Sequence, residues 1–66
     1  MNAPICKFDI LRAKVANYAR ENNFNVNLTQ QYAYAMRLDY PLDNQSFMSC
    51  VSLAMQDAVN FPNNLD

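Results

Sequence analysis

Apolar residues recur every three or four positions in three stretches of the chain, and each stretch is bounded by residues that start or stop a helix. The first carries Phe8, Leu11, Val15, Tyr18 and Ala19 on one stripe, the spacing of an amphipathic helix. Pro4 suits its first turn, and Asp9 lies near the positive end of its dipole. Asn22 and Asn23 end it, because Asn tolerates the left-handed conformation. This pattern predicts a helix over 4–22.

The second stretch, predicted as helix over 28–39, places Leu28, Tyr32, Ala35 and Met36 together. Asn27 is its expected cap, with Gln30 three residues on in a capping-box arrangement. Pro41 closes it, since the residue before a proline avoids the helical region. The third stretch, 43–60, has the clearest start. Asp43 is a good cap, and Leu42 with Phe47 matches a hydrophobic staple. Phe47, Met48, Cys50, Val51, Ala54, Met55, Ala58 and Val59 then cover about half of the helix circumference, more than one neighbour needs. Pro62 and the tail NNLD finish the pattern. The chain has no glycine, which removes the usual tight hairpin turns, and no stretch alternates as a strand does. The expected fold is all-α: a three-helix domain over residues 1–66, with a wide face on the third helix that a second copy could complete.

Composition adds constraints. Sixty-six residues make one domain, and a domain this small buries only about 60% of its unfolded surface. Disulfides, a metal or a second copy of the chain are the usual supplements. Apolar residues are 52% and charged residues 17%, enough for a core and too apolar for disorder. The two cysteines, Cys6 and Cys50, come without any histidine, so a four-ligand Cys/His zinc site within one chain is ruled out. No cofactor is expected. The N-terminus lacks the basic and apolar regions of a signal peptide, and no apolar run approaches 18 residues. A cytoplasmic protein with two free, buried thiols is therefore expected. In that compartment the sequons at Asn27 and Asn44 carry no meaning.

Charge argues against nucleic acid as a partner. The net charge is −1, and four of the five basic residues (Lys7, Arg12, Lys14, Arg20) fall in the first helix, where they read as a solvated face. One motif points the other way. Gln31, Ala35 and Asp39 follow each other at spacings of four, which resembles the first helix and turn of a helix-turn-helix, with Asp in place of the usual Gly. That resemblance would make the third helix the reader, with Asn44 and Gln45 able to pair with adenine. Three features oppose it. Asp39 lacks glycine's freedom, Pro41 and Leu42 lengthen the turn, and no Lys or Arg occurs from Leu42 onward. A small helix-turn-helix regulator is thus the alternative expectation.

Catalysis is not expected. Without histidine the candidate bases are six acidic residues, none paired with another on one helical face, and Cys50 lies on an apolar stripe. Asp43 and Asp39 read as the residues that open and close helices. Tyr18 and Tyr32 read as core.

Some apolar residues lie outside the stripes. Ile10 falls among Lys14, Asn17 and Glu21. Tyr34 falls beside Gln30 and Arg37, and Leu53 among Ser46, Ser49 and Asn60. From Asn44 to Gln56 there is no charge at all, and neutral polar groups are far easier to desolvate than charged ones. Ile10, Tyr34, Ser49, Leu53 and Gln56 are accordingly the candidate partner-binding residues. The expected function is non-enzymatic protein–protein interaction, with a protein target or another copy of the chain. Accessory factors and inhibitors, including those of phages and mobile elements, are the roles that small acidic domains commonly fill.

Overall fold

The computed structural model describes residues 6–61. Three helices appear: α1 (Lys7–Glu21), α2 (Val26–Met36) and α3 (Asn44–Asn60). No strand occurs among the described residues. The all-α, three-helix reading stands, with some boundaries and one face corrected.

Cys6 is extended (φ −74°, ψ 138°) and precedes the first helical residue, so α1 starts at Lys7. Pro4, the expected first-turn residue, lies outside the described residues, as does the tail from Pro62. The end of α1 is more specific than Asn content alone conveys. Asn23 and Phe24 both adopt left-handed backbone, φ 57° and 58°. The Phe24 N–H then reaches back to the Ala19 carbonyl at 2.7 Å, the long bond of a Schellman closure. Without glycine, a phenylalanine takes a conformation that disfavours any Cβ. The Asn22 side-chain amide adds a bond to the Tyr18 carbonyl at 2.9 Å.

The cap of α2 is Asn25, not Asn27. Its Oδ1 accepts the Leu28 N–H at 2.9 Å, so the helix begins two residues earlier than the sequence pattern indicates. Thr29 Oγ1 folds back onto the Asn25 carbonyl at 2.7 Å. The buried face also differs from the expected stripe: Thr29 and Ala33 are buried, Tyr32 and Met36 half-buried, while Leu28 and Ala35 face solvent. The helix ends at Met36 because Leu38 and Asp39 tighten onto Ala35 and Met36 with three-residue bonds. The proline at 41 follows a turn already complete. Asp43 caps α3 as expected, Oδ1 accepting the Ser46 N–H at 2.7 Å. Leu42 packs against the cluster containing Phe47, as the staple requires.

α1 is the central element. It packs extensively on α3 and less on α2, whereas α2 and α3 hardly touch each other. The resulting body is a slab of 32 × 31 × 16 Å, little more than one helix diameter in its thin direction. Its core joins Leu11, Val15, Ala16 and Ala19 to Ala33, Phe47, Cys50, Ala54 and Ala58. Alanines at Ala16, Ala19, Ala54 and Ala58 let the backbones of α1 and α3 approach closely. Tyr18 and Tyr32 join α1 to α2 as a near-parallel stack, centroids 4.2 Å apart and planes 11° apart, worth about 0.5–1.5 kcal/mol beyond their burial.

Candidate interaction surface

The two flanks of α3 are chemically opposite. On the flank against α1, Arg12 grips Asp57 with two bonds, Nε to Oδ2 at 2.6 Å and Nη2 to Oδ1 at 3.0 Å. This fork geometry is the strong form of an ion pair. It holds the Asp57 carboxyl below its usual range, chiefly through the side-chain bond from Arg12, and raises the guanidinium correspondingly. About two turns of α1 further on, Arg20 donates from Nε to the Phe61 carbonyl at 2.7 Å and from Nη1 to Asn17 Oδ1 at 2.7 Å. These arginines, expected as a solvated face, instead clasp the C-terminal end of α3. An arginine at the negative end of a helix also complements its dipole.

On the other flank, α3 and α2 converge only at their loop-joined ends. Phe47 sits there between the Tyr34 ring, 5.1 Å away and tilted by 39°, and the Arg37 guanidinium, 4.5 Å above its centroid. Arg37 is further held by bonds from Nη2 to the Leu42 carbonyl (2.9 Å) and Asn44 Oδ1 (2.7 Å). From this hinge the helices diverge and leave a cleft of about 120 Å³ lined by Gln30, Tyr34, Phe47, Met48, Val51 and Ser52. None of the six is charged. Tyr34 is 61% exposed and Met48 67%. Along α3 the same side continues through half-buried Met55 to exposed Val59, at spacings of three and four that keep it on one face.

Of the candidate partner-binding residues, Tyr34 is the one that lines this cleft. Ile10 and Leu53 are both half-buried. Leu53 lies one turn before Asp57, on the flank toward α1, and Ile10 lies on the polar side of α1. Ser49 and Gln56 are exposed but, by helical register, share the Leu53 side of α3. The five residues therefore do not form one surface. Met48 and Val51, part of the wide α3 stripe, line the cleft, and Val51 also packs against the core. Their signal was present in that width: the stripe exceeded what α1 could cover.

The cysteines differ from expectation in one respect. Both are free, but Cys6 is exposed while Cys50 is buried. Burial pushes the Cys50 thiol up, and its Sγ donates to the Phe8 carbonyl at 3.5 Å, a packing role without nucleophilic character. No group of three His, Cys, Asp or Glu side chains converges among the described residues. Among the same residues, no helix is long and apolar enough to cross a membrane.

The Gln31–Ala35–Asp39 rhythm does not describe the packing of α2. All three residues are exposed, and the small buried residue is Ala33. Asn44, the first residue of the supposed reading helix, already accepts a bond from Arg37.

Comparison with protein-family models, with curated proteins and with solved structures finds no match for this chain.

Proposed function

We propose that this protein acts by protein contact, without catalysis or cofactor, through the face formed by α3 and the adjoining flank of α2. The observation that carries this reading is the charge-free cleft between the two helices, with Tyr34 and Met48 exposed at its lip. Exposed apolar patches with neutral polar neighbours mark association surfaces. A role as an accessory factor or inhibitor agrees with a chain that offers such a surface. The engagement of Asn44 by Arg37 and the lack of any basic residue on α3 support protein over nucleic acid as the partner.

The test is affinity capture by the tagged chain in cells that express it, after brief crosslinking and with quantitative mass spectrometry. Wild type and Met48→Glu are compared. The expected result is at least one protein, a second copy of the chain included, retained by wild type and depleted in the variant at unchanged helicity. Equal recovery of every protein by both would overturn the reading.

A further inference from the structure

We infer that the occupant of this face is a second copy of the chain, docked about a two-fold axis so that Tyr34 and Met48 of each protomer meet the cleft of the other. The inference rests on the protein-contact reading above and narrows it to one partner.

The first support is the shortage of bulk in the core. Leu11, Val15, Thr29 and Cys50 are the largest fully buried side chains, and most of the remaining core positions are alanines. Phe8, Tyr32, Met36, Tyr40, Leu42, Val51 and Met55 pack against this core but remain partly open. A chain of this length commonly needs a supplement to its core. Both cysteines are free, so no disulfide between them supplies it. A second copy would cover Val51 and Met55 as well as the exposed Tyr34 and Met48.

Charge supplies the second support. A two-fold interface places the same patch on both sides, so any charged residue near the axis faces its own like. A surface built for a different, charged partner would carry the opposite sign. The cleft, with Gln30, Tyr34, Met48, Val51 and Ser52, carries neither. It is complementary to itself.

Area gives the third. A standard interface takes about 800 Å² from each partner, here about one sixth of the 4723 Å² surface. The 17 residues of α3 extend about 25 Å, and with the flank of α2 the face is about 20 Å wide. The flat outline of that face is about 500 Å², and the relief of the cleft with exposed Tyr34 and Met48 adds accessible area toward the required value.

Sedimentation equilibrium of the purified full chain, from micromolar to millimolar concentration, tests the inference. Wild type is expected to approach twice the 7.6 kDa of one chain. Met48→Glu and Ser52→Glu each place two like charges in the shared face and should weaken the dimer by about tenfold or more. Ser52 is exposed and contributes no buried contact, so its substitution leaves folding unaffected, which circular dichroism verifies. A wild-type mass that stays at one chain throughout overturns the second copy. If Met48→Glu still loses a captured protein in cells, the protein-contact reading survives that failure. A dimer that persists unweakened in both variants overturns the choice of face.

Discussion

The seam between α1 and α3 and the cleft between α2 and α3 use the same third helix to opposite ends. At the seam, alanines bring two backbones together and the Arg12–Asp57 fork, with Arg20 beside it, fixes the register. Among the described residues, the ion pair between helices lies there. At the cleft, one aromatic contact and one arginine hold the loop-joined ends, and the rest of the surface is apolar or neutral and open. A seam closed by directional charge has one partner in one orientation. A cleft of Met, Tyr, Val and Ser is easily desolvated and imposes less orientation. The difference places stability on one side of α3 and availability for contact on the other.

The comparison breaks most visibly at Leu11, fully buried in the seam. Leu11→Ala should lower unfolding free energy by about 2–5 kcal/mol, a large part of what a domain this size possesses. Urea denaturation followed by far-ultraviolet dichroism measures it, and a loss below about 0.5 kcal/mol would show that the seam is not the core. Arg12→Ala should lower the melting temperature less than Leu11→Ala does, because the pair is partly solvated.

Acid sharpens the same point. The Asp57 carboxyl is held below its ordinary value near 3.8 by the bond from Arg12, so folding binds it in its charged form. The resulting stability is complete above the ordinary value and disappears as pH falls through the lower folded value. Asp43, held down chiefly by the Ser46 N–H, acts with the same sign. Melting temperature should therefore fall below about pH 4, and Asp57→Asn should flatten that fall. An unchanged acid profile in the variant would detach Asp57 from the seam's stability.

Smaller effects follow on the α2 side. Asn25→Ala removes the observed cap and should destabilise by about 1 kcal/mol, whereas Asn27→Ala should change thermal unfolding by no more than a few tenths. The reverse order would move the start of α2. On the cleft, Ser52→Glu should leave stability within about 0.5 kcal/mol of wild type while altering association. Smallest is the expected response to duplex DNA. Fluorescence anisotropy at physiological salt should show no tight binding, and saturation sensitive to Asn44→Ala would favour the helix-turn-helix reading.

The fold was largely legible in the chain because helices announce themselves locally. The stripe of α1 needed no correction in Leu11, Val15 and Ala19, and the Asp43 cap stands as the sequence reading has it. In α2 two asparagines compete as caps, two residues apart, and only one is used. Tyr32 and Met36 have small residues on either side, Ala33 and Ala35, and spacing alone does not say which of the two the neighbouring helix covers. The surface was less legible. A wide apolar arc does not say which part a neighbour covers, so the stripe alone leaves the place of Met48 open until α2 is placed. The Arg12–Asp57 fork joins residues 45 apart in sequence, and no local spacing records such a pair. Tyr34 was visible as a residue off its stripe; the width of the α3 arc signalled its companions Met48 and Val51 without pairing them with it.

The one-sided attachment of α2 has a consequence for the molecule's breathing. Each helix of a three-membered bundle normally has two neighbours, but α2 is held along its length by α1 alone and by α3 only at one end. Opening it exposes Thr29, Ala33 and the Tyr18–Tyr32 stack while leaving the α1–α3 pair intact. Its amide protons should therefore exchange with solvent through a partial opening, ahead of those at Leu11, Val15 and Ala54, which wait for the whole fold to open. A bound protein on the cleft would clamp α2 from its free side, and slowed exchange at Ala33 would report that occupancy from within the helix.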